Sequence, residues 1–378
     1  MSIPRIWMDV DTGADDALAL MTACALEKES KLKLEGVSAV NGNAPLDRTF
    51  INSRDILSLC GREDIPVFPG ADKPLIVESV RAAYVHGQSG LGKVKIDPSG
   101  AEEETLKAWD ALYRCACKYA GELELILTGP QTNAVIALAK YPDLKDKLKR
   151  ILVMGGADVG GNITAAAEFN IYADPHAAEA VFKSGIPIVM CSLDVTMQAG
   201  LTKEEIDRLE GSGTKAGMVY AGSMELLKKL SLVKEDDLCA VHDACPVLYA
   251  VMPELFGNIV RCGVHVETGG KLTRGQTVTD WDTDKKFPDR NVDLVLGVDR
   301  DAFAKVLLDL HERIRSREAK TAGSRPAPAL STTFAAAVLA LIRADFMESP
   351  VWRQAIKAPI WASPAPTVSF CLAEGALM

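Results

Sequence analysis

The chain has 378 residues, of which 48% are hydrophobic and 25% charged, a globular composition that excludes an intrinsically disordered protein. The formal net charge is −9 and no block is rich in Lys or Arg, so a nucleic-acid-binding surface is not expected. No stretch reaches the roughly 18 unbroken apolar residues of a membrane span, so we expect no membrane partner.

Two features of the sequence bear on the cellular location of the protein, the N-terminal residues and the cysteines. Acidic residues begin at Asp9, too early for the apolar stretch of a signal peptide. The nine cysteines are scattered without a C-x-x-C pair, as in proteins of a reducing compartment. We therefore expect a cytoplasmic protein.

Apolar runs alternate with longer amphipathic segments along the chain. Strands are predicted at 5–10, 33–40, near Val67, and at 124–128, 150–156, 186–193, 259–267, 274–280 and 291–297. Helices are predicted at 17–26, 46–60, 105–120, 132–140 and 175–184, twice within 202–230, at 244–251 and at 301–315. This alternation predicts the α/β class, with a mainly parallel central sheet flanked by helices as an open α/β sandwich.

The character of the chain changes beyond about residue 317. The segment TAGSRPAPALSTT has the Pro/Ser/Ala composition of a linker, and the apolar run after it is too short to span a bilayer. We predict an α/β domain over 1–317 and a C-terminal appendage over 318–378. The appendage is expected either to be poorly ordered or to dock on the domain as a helix.

The sharpest motif is an acidic loop between the first predicted strand and the first helix. Asp9, Asp11, Asp15 and Asp16 lie within eight residues, and the loop contains no Lys or Arg. Ligands of parallel sheets bind at the carboxyl ends of the strands, where this loop lies. Carboxylates so close together require a cation or a positive helix end, and oxygen ligands of this kind suit Ca²⁺ or Mg²⁺. The loop therefore predicts a metal site.

Two other readings of the acidic loop are open at this point. Thr12-Gly-Ala-Asp15 fits a helix capping box, which explains one or two of the acids but not Asp9 and Asp11 on the strand end. Phosphatases of the haloacid-dehalogenase type, which use Mg²⁺, also carry Asp-x-Asp after a first strand. Gly13 stands where they have Thr or Val, and Asp299 and Asp301 are only loose candidates for their later acidic pair.

The acidic loop resembles the D-x-D-x-x-x-D-D signature of the inosine-uridine-preferring nucleoside hydrolases. Further segments resemble that family's site in the same order along the chain, over roughly residues 3–315. They are the loop 41–43, the Gly-rich loop 86–92, the turn 128–133, and the segments 154–156, 161–162, 167–175 and 241–246. The resemblance implies a nucleoside hydrolase-like fold and hydrolysis of the bond between ribose and base.

The resemblance implies a Ca²⁺ site and a general base. Asp11, Asp16 and Asp243 would bind Ca²⁺ through carboxylates, together with the backbone carbonyl of Thr128. Asp11 would also take the proton from the attacking water, and no Ser or Cys nucleophile is required. We expect direct attack of water and no covalent sugar intermediate.

The resemblance also implies a set of substrate-binding residues. Asp15, Asn162, Glu168 and Asn170 would hold the ribose hydroxyls, with Asn43 close by. The residues expected to line the sugar pocket are Met154 and Phe169. Taken singly, several of these have structural explanations: Asn162 as a turn residue, and Glu168 and Asn170 as helix caps or surface residues. Asp174-Pro175 is interpreted only as an N-cap with Pro at the first helical position.

Protonation of the departing base would fall to a histidine. His242, next to a predicted metal ligand, is the first candidate, although it also fits a satisfied core histidine, and His86 on the Gly-rich loop is the second. Both occur where the inosine-uridine-preferring members carry histidines, which favours broad or pyrimidine-tolerant specificity. Trp281 is as compatible with stacking on a base as with a surface or core role. Relatives are commonly dimers or tetramers, so a homodimer or homotetramer is expected.

The partner expected on these grounds is a small nucleoside. A metal-dependent phosphatase and a non-enzymatic nucleoside-binding protein are the alternatives. Release of free base and ribose, against release of phosphate from nucleotides, separates the first two.

Overall fold

A computed structural model describes residues 3–81, 89–91, 94, 96–215, 217–219, 222, 238–281, 287 and 289–318. The strands in these ranges are β1 (Arg5–Val10), β2 (Lys33–Ala39), β3 (Val67–Pro69), β4 (Leu123–Leu127), β5 (Leu148–Met154), β6 (Ile188–Cys191), β7 (Gly200–Leu201), β8 (Cys239–Ala240), β9 (Phe256–Val266), β10 (Thr277–Asp280) and β11 (Val292–Val298). The predicted appendage, 318–378, lies outside the described residues except for Glu318, and its separation from the domain stays a prediction.

The strands form a nine-stranded sheet in the order β3-β2-β1-β4-β5-β6-β11-β9-β10. Strands β3 to β11 in this order pair in parallel, and β9 pairs antiparallel with both β11 and β10. Strands β7 and β8 form a separate antiparallel pair. The chain moves from β1 outward to β2 and β3 and then returns to β4 on the other side of β1. The carboxyl ends of β1 and β4 therefore form the topological switch point, where such sheets bind ligands.

Helices cover both faces of the sheet. They are α1 (Ala14–Lys28), α2 (Leu46–Leu59), α3 (Ala108–Lys118), α4 (Thr132–Lys140), α5 (Phe169–Ala173), α6 (Pro175–Phe182), α7 (Leu193–Thr196), α8 (Lys203–Gly211), α9 (Ala244–Val251) and α10 (Arg300–Glu318). Within the described ranges, no helix has the length and apolar character needed to cross a bilayer. The predicted α/β class, with a mainly parallel sheet between helices, is confirmed.

Alternation along the central strands explains why both faces are buried. Ile6 and Met8 of β1 pack in the apolar core shared with α1, α2, α9 and α10. Trp7, between them, points to the opposite core, which includes residues of α3, α4 and α6. Because successive side chains of a strand point to opposite faces, a strand covered on both sides reads as one continuous apolar run. The unbroken apolar runs at 125–127 and 151–154 have this cause.

Several predicted boundaries differ from the structure. The strand predicted over 186–193 ends at Cys191, because the chain turns at Ser192 into the short helix α7. The strand predicted over 274–280 begins only at Thr277, since backbone hydrogen bonds from Arg274 to Gly270 and from Gly275 to Glu267 close a turn before it. Helix α5 was not predicted as a separate element. Of the two helices predicted within 202–230, the first is α8, and the second lies largely outside the described residues.

Helix α10 carries a histidine that is buried against α1. His311 is 0% exposed and its Nε2 lies 3.3 Å from Thr22 Oγ1. Burial lowers the pKa of His311 from 6.5 to about 4. Between these two pH values the unfolded chain binds a proton that the folded chain does not, so stability falls as the pH falls through this window.

We expect His311→Gln to make the free energy of unfolding less sensitive to acid than in the wild type. The difference in slope between pH 6.5 and 4 should approach ~1.4 kcal/mol per pH unit, as for a single proton. Urea unfolding of both proteins from pH 7 to pH 4.5 measures it. Equal slopes in the two proteins would contradict the burial of a neutral imidazole.

Candidate active site

The candidate residues lie where four neighbouring parallel strands end. Asp11 follows β1, Asn43 follows β2, Thr128 follows β4, and Met154 is the last residue of β5. These strands are adjacent in the sheet and parallel, so their carboxyl ends lie on one edge. The fold thereby brings together residues that are more than a hundred positions apart in the sequence.

Asp11 is enclosed by backbone on both sides. Its carboxylate is completely buried and accepts hydrogen bonds from the backbone N–H of Asn43 at 2.7 Å and from the Asn43 side-chain amide at 3.2 Å. A Cβ atom at Gly42 would collide with Asp11 Oδ2, and one at Gly129 would lie 2.8 Å from Oδ1. The two glycines are required here because only bare backbone fits against this carboxylate.

Asp16 is the second carboxylate of the loop and is fixed by three donors. It accepts from the backbone N–H of Gly13 at 3.0 Å, from Thr128 Oγ1 at 2.8 Å and from the Asn43 amide at 3.2 Å. Helix α1 begins at Ala14 with Gly13 as its N-cap. The capping box predicted for Thr12 and Asp15 is therefore wrong by one residue, because Asp16 is the residue that closes the cap from its third position.

Asp243, 227 positions after Asp16, joins the acidic loop in space. Carboxylate oxygens of Asp15, Asp16 and Asp243 all lie within 4.8 Å of one another. Asp15 is half-buried, whereas Asp16 and Asp243 are 0% and 2% exposed. Asp243 precedes helix α9 but makes no side-chain hydrogen bond to it, so its carboxylate is directed to the other acids instead of capping the helix.

The electrostatics of this cluster fit a hard cation. Burial raises the pKa of Asp16 to about 7 and raises that of Asp243 well above its ordinary value, and the charge of Asp15 adds to both shifts. Burial and the charges of Asp16 and Asp15 likewise raise the pKa of Asp11. Among the described residues, no Lys or Arg forms a salt bridge with any of the four acids. Oxygen ligands without a protein counter-charge are the donor set that Ca²⁺ and Mg²⁺ prefer.

The predicted metal ligands occupy this cluster in different ways. Asp16 and Asp243 belong to the close trio, and its third member is Asp15, which was predicted to bind ribose. Asp11 stands beside the trio and is connected to Asp16 through the amide of Asn43. Thr128 contacts the cluster through its hydroxyl, which donates to Asp16.

Three of the predicted ribose-binding residues, Asn162, Glu168 and Asn170, lie at helix α5, and we call this group the α5 wall. The side-chain amide of Asn170 donates to the carbonyl of Thr128 at 2.9 Å and to that of Met154 at 3.2 Å. This amide therefore fixes the two strand ends, β4 and β5, relative to each other. Asn170 lies in the short helix α5, which is how a residue 42 positions later reaches Thr128.

Glu168 is the N-cap of α5 and is 2% exposed. It accepts from the backbone N–H groups of Gly156, Asn170 and Ile171 at 3.0, 2.9 and 3.2 Å. Burial raises its pKa to about 7, and these amides act in the opposite direction. The interpretation of Glu168 as a helix cap is thus confirmed. Its binding of ribose remains a prediction.

Of the remaining predicted site residues, some lie at the α5 wall and others lie elsewhere in the molecule. The exposed Asn162 accepts the backbone N–H of Phe169 at 2.9 Å, which places it at the start of α5. Phe169 and Met154 are 8% and 3% exposed, as expected for apolar lining residues. His86 lies outside the described residues. Trp281 is 48% exposed.

His242 is half-buried beside Asp243. Its Nδ1 lies 2.8 Å from the hydroxyl of Thr196, the last residue of α7. Thr196 was not predicted from the sequence, since nothing in the local sequence connects it with a residue 46 positions away. The pairing of β7 with β8, each only two residues long, is what brings them together.

Asp9 was left unexplained by the motif and is a supporting residue. Its carboxylate is 2% exposed and accepts hydrogen bonds from the hydroxyl of Ser38 and from the Asn133 amide, the latter at 2.7 Å. Trp7 in turn donates to Ser38 at 2.9 Å. Asp9 therefore connects β1 with β2 and α4 behind the cluster. The separate N-cap predicted at Asp174-Pro175 is confirmed.

Comparison with known proteins gives consistent matches. A family model described as inosine-uridine preferring nucleoside hydrolase matches residues 6–305. The chain is 39% identical over 313 residues to the pyrimidine-specific ribonucleoside hydrolase RihA of Klebsiella pneumoniae, which covers 81% of this chain and 97% of that protein. Among solved structures, the purine-preferring ribonucleoside hydrolase of Gardnerella vaginalis has a TM-score of 0.75 at 31% identity, covering 82% and 98% of the two chains. A plant nucleoside hydrolase, PpNRh1, has a TM-score of 0.75 at 29% identity, covering 82% and 99%.

The raised pKa values give a prediction about cation binding. Without a cation, a carboxylate whose folded pKa is raised contributes stability at low pH that is lost as the pH rises through the folded value, about 7 for Asp16. A cation binds only the ionised carboxylates and reverses this loss. The rise in melting temperature on adding Ca²⁺ to chelator-treated protein should therefore be larger at pH 8 than at pH 5.5, on the order of 5 °C at saturation.

Asp243→Asn should abolish most of this Ca²⁺-dependent rise. Asp110→Asn is the matched control, because its carboxylate pairs with Lys140 at the surface and should leave the rise intact. Differential scanning fluorimetry at both pH values measures it. A rise that is equal in the wild type and Asp243→Asn would exclude Asp243 from the cation site.

Proposed function

Because the chain belongs to the inosine-uridine-preferring nucleoside hydrolase family, and is therefore a hydrolase that acts on nucleosides, we propose that it splits ribonucleosides into free base and ribose with Ca²⁺ and an Asp general base. The family predicted from the motifs is confirmed. The observation that supports the finer proposal is the convergence of Asp15, Asp16 and Asp243 within 4.8 Å beside the enclosed carboxylate of Asp11.

We assign the cation to Asp16, Asp243 and the backbone carbonyl of Thr128, with Asp11 and Asp15 adjoining. Ca²⁺ takes six to eight oxygen ligands, so water and ribose hydroxyls complete the set. When bound, the cation lowers the pKa of a water molecule and anchors the ribose diol. Asp16 is held for this role by Gly13 and Thr128, which leaves its orientation independent of the substrate.

Asp11 is the general base in this proposal. Its burial favours the protonated carboxyl, and a base must have an appreciable proton affinity to accept a proton from water. The two hydrogen bonds from Asn43 and the adjacent glycine backbone hold its orientation. Asn43 therefore acts on Asp11 and Asp16 in our proposal, in addition to lying near the ribose as the motif predicted.

The ribose lies against the α5 wall. The ribose hydroxyls would be held by Asp15, which is half-buried, and by the polar groups of Asn162, Glu168 and Asn170. The apolar face of the ring would contact Met154 and Phe169. Breaking the N-glycosidic bond builds positive charge on the sugar and negative charge on the base. The carboxylates stabilise the first, and a proton from His242, or from His86 as the second candidate, neutralises the second.

The base preference is proposed from the relatives. The Klebsiella pneumoniae protein, at 39% identity, is named pyrimidine-specific, whereas the Gardnerella vaginalis enzyme, at 31%, is named purine-preferring. Together with the histidine pattern, this favours acceptance of pyrimidine nucleosides such as uridine. A cytoplasmic location and a homodimeric or homotetrameric state remain proposals from the sequence.

The phosphatase alternative is not favoured by the family match. Its later acidic pair also has other roles in the structure. Asp299 accepts the backbone N–H of Ala302 at the start of α10, and Asp301 is 92% exposed and pairs with Arg300.

A substrate panel tests the reaction. Chelator-treated protein supplied with Ca²⁺ should release ribose from uridine and inosine, measured as reducing sugar, and should release no phosphate from the corresponding nucleotides. Activity should fall by at least tenfold when Ca²⁺ is withheld, because ionised Asp16 and Asp243 then lack their counter-charge. Release of phosphate without ribose would contradict the proposal.

Asp11→Asn tests the general base. The variant keeps the size of the side chain and one acceptor oxygen, so we expect it to fold and to lose roughly 10²–10⁴-fold in kcat on uridine. Circular dichroism and the melting temperature check folding. Activity within fivefold of the wild type would exclude Asp11 as the base and favour a binding role for the acidic loop.

A further inference from the structure

The hydrogen bond between Thr196 and His242 lies outside the acidic cluster. Thr196 is 0% exposed and His242 is half-buried, and the hydroxyl lies 2.8 Å from Nδ1 of the ring. One edge of the imidazole is therefore fixed to the protein interior. Asp243, the residue next to His242, belongs to the close trio of carboxylates. His242 thus lies at the border between the buried scaffold and the site.

The position of Thr196 is determined by the fold around it. Strands β7 and β8 pair Gly200 with Ala240, and the backbone N–H of Val241 donates to the carbonyl of Ala199 at 2.9 Å. This small ladder places the end of α7 against the residues that follow β8. Any shift of α7 would therefore move the hydroxyl away from the ring.

Helix α7 is itself fixed by Asp194. The carboxylate of Asp194 accepts from the backbone N–H of Asp158 at 2.7 Å and from the hydroxyl of Ser192 at 2.7 Å. The side chain of Gln198 extends to the carbonyl of Leu296 at 2.9 Å. The four-residue helix and the turn after it are thus connected to the loop after β5, to the end of β6 and to β11, which hold Thr196 in place.

We propose that Thr196 is a positioning residue that holds His242 in the orientation needed to protonate the departing base. This inference rests on the proposed function and deepens it. A hydroxyl can accept a hydrogen bond from Nδ1–H. With that proton fixed between Nδ1 and Thr196, the proton that His242 gives away is the one on Nε2.

The step begins with His242 protonated on both ring nitrogens and with Asp11 ionised. The pair of electrons in the bond between C1′ and the base nitrogen leaves with the base, which receives the proton from Nε2 of His242. A lone pair of the attacking water forms the new C1′–O bond, and the water proton passes to Asp11. His242 is left neutral with its remaining proton on Nδ1, where the hydroxyl of Thr196 accepts it. Thr196 itself touches no reacting atom.

The test compares leaving groups that need a proton with one that does not. Thr196→Val keeps the shape of the side chain and removes the hydroxyl. We expect its kcat/KM on uridine and inosine to fall by ~10–100-fold, as for loss of a hydrogen bond to a charged group. On p-nitrophenyl riboside, whose phenolate leaves without a proton, it should stay within threefold of the wild type. Thr196→Ser, which restores the hydroxyl, should recover most of the activity on nucleosides.

Three further variants make the result specific. Thr22→Val removes another buried threonine hydroxyl, which lies 3.3 Å from a ring nitrogen of His311. This variant should leave kcat/KM unchanged on both kinds of substrate. His242→Ala should show the same selective loss as Thr196→Val, and the double variant should lose no more than His242→Ala alone. Thr196→Ala should show the selective loss even if Thr196→Val fails to fold.

Equal losses on nucleosides and on p-nitrophenyl riboside, or no loss on either, would overturn the role of Thr196 while leaving nucleoside hydrolysis intact. A wild-type protein that releases no ribose from any nucleoside would overturn the proposed function and this inference together.

Discussion

The burial of several carboxylates at one edge of the sheet is the constraint around which the site is built. Moving an ionised carboxylate from water into a protein interior costs several kcal/mol unless the charge is compensated. Asp11, Asp16 and Asp243 are each at most 2% exposed, and burial raises the pKa of all three. The chain retains these groups although an apolar residue at any of them would be easier to bury, so their charge is what the site requires.

The surrounding residues reduce this cost without removing the charge. Neutral donors such as the amide of Asn43 and the hydroxyl of Thr128 orient the carboxylates and satisfy some of their lone pairs. Asn170 fixes the carbonyl of Thr128, and Glu168 fixes the helix that carries Asn170. In the described part of the molecule no arginine or lysine completes the compensation, which is why a cation fits the site and why its binding is expected to stabilise the fold.

Local sequence was sufficient for the α/β alternation and for the acidic loop after β1, because strand periodicity and the loop are properties of short segments. It was insufficient where distant segments decide the geometry. The Asp11 environment depends on Gly42 and Gly129, which lie in the loops after two other strands, and the His242 partner Thr196 comes from a helix of four residues. The resemblance implied Asp11 as a metal ligand, and that role stays a prediction. The close trio in the structure contains Asp15 together with Asp16 and Asp243.

The central claim is that these carboxylates share one hard cation. The most direct measurement is a crystal structure of the Ca²⁺-loaded protein with anomalous data that identify the ion. The account predicts a single Ca²⁺ peak with oxygens of Asp16 and Asp243 and the carbonyl of Thr128 at roughly 2.3–2.6 Å. An ion bound elsewhere, or carboxylates that remain in mutual contact at saturating Ca²⁺ with no ion between them, would contradict it.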